Sequence, residues 1–250
     1  MPHTDVDYRR SHNRMVKNLM GAHPRDQAMS LAVGGNYEVV GAIEAELLKH
    51  YGLGTNDFLV DAGCGSGRLA TALAPYLKGP YLGIDVVPEL FEYAAKKANR
   101  RDWRFVAAPG LSIPLENNTA DMVCFFSVFT HLFHQESYAY LMDAFRVLKP
   151  GGRVVLSFLE FKDPAIWPIF GSLVQRVLGG ASADYEHVQF LSRDALTAWA
   201  EHLGFQVVEF VDGAAECVTL PHPVRRDDGS TVSGKAALGQ AVCVLSKPPR

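Results

Sequence analysis

Cysteine is scarce in this 250-residue chain. Its four cysteines, Cys64, Cys124, Cys217 and Cys243, are far apart and form no CxxC pair. They read as free thiols in a reducing cytoplasm rather than a disulfide framework. Basic charge is not in excess either: 24 Lys and Arg stand against 27 Asp and Glu, a formal net charge of -3. That balance argues against a nucleic-acid backbone as partner, although a local basic patch can hide in the average. Residues 1–18 hold several Arg and His but no continuous apolar run, so they read as neither a signal peptide nor a membrane span. Internal repeats and low-complexity tracts are also absent. What remains is an ordinary globular balance, 48% apolar and 20% charged, which suits one large α/β domain with ample core. The expected state is a cytoplasmic monomer or homodimer.

The first thirty residues are polar and weakly periodic. From Tyr37 to Leu48 the apolar residues recur at helical spacing, up to the breaker Gly52-Leu53-Gly54. A regular alternation follows. Strands are expected over 58–61, 81–85, 103–107, 121–126 and 153–159, and helices over 68–77, 88–99 and 135–148. Short apolar strands alternating with amphipathic helices mean right-handed βαβ units, hence a doubly wound, Rossmann-like α/β fold with a parallel sheet. Beyond Glu160 the rhythm breaks. The stretch 161–190 is aromatic and irregular, with a short helix expected around 169–177, and it reads as a lid. Ser192 looks like the N-cap of a helix reaching His202. Strands close the chain over 205–211 and 241–246, separated by a polar connection, 212–239, that reads as a surface hairpin or lid. One domain is therefore expected over 1–250. Its parts are an N-terminal helical cap (1–52), a cofactor-binding core (53–160), a lid or acceptor segment (161–190), and a C-terminal helix and strands (191–250).

The strongest signal is Val60-Asp61-Ala62-Gly63-Cys64-Gly65-Ser66-Gly67-Arg68 at a strand-to-helix turn. Glycines there let the backbone bend sharply and approach a ligand where a Cβ would clash. Arg68 stands where the dinucleotide fingerprint needs its third glycine, and no P-loop Lys is present. The second element is Tyr81-Leu82-Gly83-Ile84-Asp85, an apolar strand ending in an acid. In a doubly wound sheet that strand lies beside the first, which brings Asp85 next to the glycine turn. A carboxylate there can accept from both ribose hydroxyls and disfavours a 2′-phosphate. The pair points to an adenosine-type cofactor.

Together with Ile113-Pro114-Leu115, Ala120-Asp121-Met122-Val123 and Val147-Leu148-Lys149-Pro150-Gly151-Gly152-Arg153, these motifs make the chain similar to the class I S-adenosylmethionine-dependent methyltransferases, particularly the small-molecule type-11 branch. The resemblance implies a seven-stranded sheet, mostly parallel, with its last strand antiparallel. It also implies S-adenosylmethionine as cofactor and S-adenosylhomocysteine as product. Carried over, Gly63, Gly65 and Gly67 face the methionine and ribose parts, Asp85 holds the ribose, and Val86 packs on adenine. Asp61, Cys64, Leu111 and Ser127 complete the set. Members commonly place an acid for the adenine amino group where this chain has Pro109; adenine is then left to backbone near Gly110 and to Ser112.

Transfer from a sulfonium needs alignment and desolvation more than acid–base machinery, but a hydroxyl acceptor profits from a base. Groups expected at the strand ends are Ser127, Thr130, His131, His134 and Glu160, and of these His131, Glu160 and His134 are the catalytic candidates. His131 and His134 share a helical face, yet a metal site would need a third ligand that the sequence does not offer, so none is expected. Glu160 reads equally well as a local ion pair, and His134 as a solvated side chain. Tyr185 and His187 can also reach the pocket. Trp167, Phe170 and Tyr185 are candidates for stacking on a ring or sugar face, or for plain core under the lid. Tyr37 either covers the cofactor or packs on the sheet. Arg9, Arg10 and Arg14 either bind an acidic acceptor or form a solvated arm. The expected activity is methyl transfer to a small-molecule acceptor, such as a sugar or secondary-metabolite hydroxyl. N-methylation, a catalytically silent cofactor-binding subunit and a dinucleotide oxidoreductase are the alternatives.

Overall fold

A computed structural model of the protein describes residues 8–179 and 187–249. Three helices open the chain: α1 (Tyr8–Ala22), α2 (Arg25–Leu31) and α3 (Tyr37–His50). The alternating core follows as β1 (Leu59–Ala62), α4 (Arg68–Leu73), β2 (Tyr81–Asp85), α5 (Pro88–Ala98), β3 (Arg104–Ala107), β4 (Ala120–Phe125), α6 (His134–Val147) and β5 (Leu148–Glu160). Then come α7 (Trp167–Leu178), the two-residue β6 (Phe190–Leu191), α8 (Arg193–Leu203), β7 (Gln206–Val211), the hairpin strands β8 (Val218–Arg225) and β9 (Thr231–Ala236), and β10 (Ala241–Ser246). Local chemistry explains several boundaries. Pro88 starts α5, where its missing N–H costs nothing. Ser192 Oγ accepts the Ala195 N–H at 3.3 Å to cap α8.

The sheet runs β3-β2-β1-β4-β5-β10-β7, with β6 pairing alongside the end of β5. The five strands from β3 to β5 are mutually parallel, and β10 runs antiparallel to both β5 and β7. The main path thus has the seven strands and antiparallel final strand implied by the resemblance, with β6 an addition that the sequence did not announce. The strand alternation sends successive residues to opposite faces. Leu59, Tyr81 and Met122 join α3 and α4 in one core, while Val60, Leu82 and Val123 join α6 and α8 in the other. The polar connection 212–239 holds the β8–β9 hairpin, whose Val218, Leu220 and Val224 extend the α3 side of the core. Among the described residues no helix is long and apolar enough to cross a membrane.

The order reverses between β1 and β4, and in such sheets the crevice for a ligand opens at the carboxyl ends of the strands beside that point. Gln240 immediately precedes β10, and Ala241 pairs with Phe158 near the carboxyl end of β5. The C-terminal region therefore returns to the same rim.

Candidate cofactor and acceptor site

A cavity of about 790 Å³ opens at that rim. Its floor is the β1–α4 turn. The N–H groups of Gly63 and Cys64 both donate to the Ile84 carbonyl, at 2.7 and 3.0 Å, which holds the turn against β2. Gly63 and Gly65 have φ of 83° and 52° and line the cavity. A Cβ on Gly63 would come within 2.3 Å of a Val128 methyl, and one on Gly65 within 2.6 Å of a Val33 methyl. Neither position can carry a side chain without moving a cavity wall. Gly67 has a different task from the one the motif suggests. Its Cα faces Ala94 of α5, where a Cβ would sit 2.5 Å from the alanine methyl, and it does not line the cavity. Its lack of a side chain lets α5 pack closely against the start of α4.

Asp85 is buried beside this turn. Its Oδ2 accepts the Gly65 N–H and its Oδ1 the Val87 N–H, each at 2.9 Å. Burial raises its pKa, against the backbone N–H groups of Val87, Gly65 and Val86 and nearby His12. Each oxygen keeps a lone pair for a further donor, as two vicinal hydroxyls require. Val86 follows on the cavity wall, with Ala108, Gly110 and Leu111 after β3 opposite. Pro109 and Ser112 are exposed and stand outside the lining, so Ser112 offers no adenine contact here. Asp61 also borders the cavity and receives Tyr81 OH at 2.5 Å; burial pushes its pKa up to about 7. Cys64 lines the cavity, but burial drives its thiol pKa well up and leaves it unreactive.

Arg68, which breaks the dinucleotide fingerprint, has a structural reason to be there. Its Nε and NH2 reach the buried Glu44 carboxylate of α3, at 2.6 Å for the NH2 contact, and its NH1 donates to the Val33 carbonyl at 2.5 Å. This locks the N-terminal helices over the turn. Tyr37 works in the same way: buried and outside the cavity, it donates its hydroxyl to the Ser66 carbonyl at 2.8 Å.

The other end of the cavity is built from the loops after β4 and before β10, and from α1 and α7. Ser127 sits at φ 59°, a left-handed conformation unusual for serine. Its N–H donates to Ser157 Oγ at 2.8 Å, and both serine hydroxyls donate to Gln240 Oε1, at 3.3 and 2.8 Å. This fixes the Gln240 amide with its oxygen toward the serines. His131 lines the cavity, and its Nδ1 lies 3.3 Å from the His187 carbonyl. A carbonyl only accepts, so Nδ1 carries the proton and Nε2 is the basic nitrogen of the neutral ring. The His12 ring of α1 lies 6.1 Å from it.

The other two catalytic candidates fall outside. Glu160 is buried and gripped by Arg193 at both oxygens, at 2.7 and 2.8 Å, and does not border the cavity; Arg193 also pairs with Asp212. His134 is exposed, with its Nε2 3.2 Å from the Phe190 carbonyl and its ring 5.6 Å from Trp199. Among the described residues no three potential ligands converge on a metal position. Trp167 and Phe170 pack edge-on to each other rather than lining the cavity, where α7 contributes Ile169. Tyr185 lies outside the described residues. Sequence reasoning missed His12 and Gln240, because neither belongs to a motif and both reach the site only through the folding of the chain ends.

The family profile described as "Methyltransferase domain" matches residues 60–156. An uncharacterized methyltransferase of Mycobacterium bovis is 31% identical over 131 residues, 52% of this chain and 50% of that protein. Residues 60–156 are thus similar to the type-11 methyltransferase domain, and solved S-adenosylmethionine-dependent methyltransferases share the fold. The residues at the glycine turn fit S-adenosylmethionine, the cofactor that the resemblance implies. The glycine turn has no room for side chains, and the buried carboxylate of Asp85 lies directly beside it. A demethylmenaquinone methyltransferase of Thermus thermophilus is 29% identical over 167 residues, 60% of this chain and 74% of that one. In fold, the chain resembles the magnesium protoporphyrin IX methyltransferase of Synechocystis solved with S-adenosylhomocysteine, with a TM-score of 0.62, 16% identity and coverage of 96% and 97%. The match spans about half the length of the mycobacterial relatives.

Proposed function

We propose that the protein methylates a hydroxyl of a small-molecule acceptor held between α1, α7 and the loop after β4. One observation carries this reading. A single cavity is lined both by Gly63, Gly65 and Asp85 and, for an acceptor chamber in this reading, by His131, His12 and Gln240. At about 790 Å³ the cavity falls within the range of roughly 300–1,000 Å³ typical of ligand sites. When bound, S-adenosylmethionine supplies an electrophilic methyl on a sulfonium. The chain's own residues do the rest. Asp85 and the glycine turn set the depth and rotation of the cofactor. His131 Nε2 accepts the acceptor's hydroxyl proton as the oxygen attacks. Gln240, oriented by Ser127 and Ser157, offers its amide N–H to a second oxygen of the acceptor. Met15, Ile169, Val188 and Leu238 exclude water from that chamber. These apolar walls favour a secondary-metabolite ring over a sugar as the body of the acceptor.

Calorimetry with S-adenosylhomocysteine and with NAD tests the cofactor half: the first should bind and the second should not. Mass spectrometry of ring-hydroxyl and sugar acceptors after incubation with S-adenosylmethionine tests the transfer half. A gain of one methyl on the ring substrates is expected, and turnover confined to sugars or amines would overturn the acceptor assignment.

A further inference from the structure

Burying a tyrosine ring leaves its hydroxyl in need of a partner, and this fold supplies one at nearly every such position. Among the buried tyrosines, Tyr37, Tyr51, Tyr81 and Tyr93 each donate the hydroxyl proton to a neighbouring oxygen, at 2.8, 2.8, 2.5 and 3.0 Å. Tyr140 of α6 is the exception. It is 5% exposed, its ring meets Phe125 edge-on at 5.1 Å, and its hydroxyl makes no hydrogen bond to any described residue. What it borders instead is the cavity. Burial, and then the negative charge of Asp85, hold its pKa above the ordinary tyrosine value, so the group offered there is a neutral hydroxyl.

Topology decides which part of a ligand this hydroxyl meets. Asp85 ends β2, and β3 is the next strand outward from β1. A nucleoside with its sugar on Asp85 and its sulfur over the β1 turn therefore carries its base toward Val86 and the loop after β3, where Ala108, Gly110 and Leu111 line the cavity. That loop is stitched to α6. Asp143 accepts the Ile113 N–H at 2.6 Å, and Arg146 donates to the Ile113 and Leu115 carbonyls at 3.0 and 2.7 Å. Tyr140 stands three residues before Asp143, its neighbour along the helix surface. From α6 the cavity receives two polar side chains, Tyr140 and Glu136. Glu136 is half-buried and already accepts the Phe133 N–H at 2.8 Å, which caps its own helix. The buried group still lacking a partner is the tyrosine.

We propose that the Tyr140 hydroxyl reads the amino edge of the purine, its oxygen accepting an N–H from the exocyclic amino group of the cofactor's adenine. The inference rests on the S-adenosylmethionine reading above and makes α6 the element that selects the base. A hydroxyl has two acceptor lone pairs and rotates freely, so it can take this bond without moving the buried ring.

Calorimetry of the full chain with S-adenosylhomocysteine, and with its analogue carrying hydrogen in place of the adenine amino group, tests the assignment. The unaltered chain should bind the analogue about 2–10-fold more weakly, the effect of one lost hydrogen bond. Tyr140→Phe keeps the ring and its packing; it should weaken S-adenosylhomocysteine by the same factor and leave the analogue where it was. A tyrosine that only packs would shift both ligands alike. Glu136→Gln should keep the preference for the amino-bearing ligand. Equal affinity of the unaltered chain for both ligands overturns the proposal without any variant. So does a Tyr140→Phe protein that still prefers the amino group, or a Glu136→Gln protein that no longer does. No affinity of the unaltered chain for S-adenosylhomocysteine removes the cofactor reading and this inference together, whereas normal affinity without the preference removes this inference alone.

Discussion

Asp61 and Asp85 lie at or next to the ends of neighbouring strands, and burial raises the pKa of both. Asp85 takes backbone N–H groups on both oxygens, which favours its charged form against burial. Asp85→Ala should weaken S-adenosylhomocysteine binding by about 1.5–3 kcal/mol in calorimetry, as lost charge-assisted bonds do. Asp61 meets a tyrosine hydroxyl and the Cys124 thiol, and its pKa rises to about 7 from 3.8. Between those values the folded protein holds a proton that the unfolded chain has released. Stability therefore falls as pH rises from about 4 to about 7 and is flat above that range. Asp61→Asn should make this part of the slope vanish in thermal melts taken across the window. An unchanged slope would show that Asp61 is already ionised in the fold. His131→Ala should slow turnover about 10²–10⁴-fold and leave cofactor affinity nearly intact, as loss of a general base does. A near-normal rate would reduce His131 to packing.

At the level of elements, β5, β6 and α8 are tied by one ion pair. Glu160 pairs in register with Leu191 of β6, and its carboxylate is closed by Arg193 at the start of α8. The acid is buried and the arginine is partly exposed, so the two sides of the pair are unequal. Removing Arg193 strands a buried carboxylate; removing Glu160 returns a cation to water. Arg193→Ala should cost about 3 kcal/mol in denaturant unfolding, the lower end for breaking a buried pair. Glu160→Gln should cost less and leave turnover close to normal, because Glu160 does not border the cavity. A large loss of kcat in a folded Glu160→Gln protein would return it to the site.

Across the whole molecule, the two chain ends meet over the cofactor floor. Asp227, at the tip of the β8–β9 hairpin, accepts from Ser30 Oγ and from the Asn36 N–H, each at 2.7 Å. Asn36 itself is left-handed at φ 49° and leads into α3, whose Glu44 holds Arg68. The hairpin, the N-terminal helices and the glycine turn therefore form one connected clamp. Asp227→Ala should loosen the 30–36 segment, seen as faster amide hydrogen exchange there, and should weaken cofactor binding a few-fold by letting Val33 move from Gly65. Exchange unchanged over 30–36 would show that the hairpin is a separate ornament.

The doubly wound core was legible in the sequence because parallel strands buried on both faces must be apolar runs and their crossover helices must be amphipathic. Tyr81–Asp85 and Ala241–Ser246 match the expected strands end for end. The tight turn at Gly63 and Gly65, with Asp85 beside it, was legible for a related reason: backbone geometry at a strand-to-helix turn limits which residues can stand there. The acceptor chamber was not. Glu160 and His134 sit close in sequence to His131 or to the strand ends, yet Arg193 and the Phe190 carbonyl hold them elsewhere. Gln240 and His12 lie more than two hundred residues apart and meet at one cavity. Local pattern fixes local backbone, whereas side chains drawn from distant segments converge only when tertiary packing of α1, the hairpin and β10 brings them to one rim. Those long-range contacts leave no period or motif in the chain, so only the folded structure could decide them.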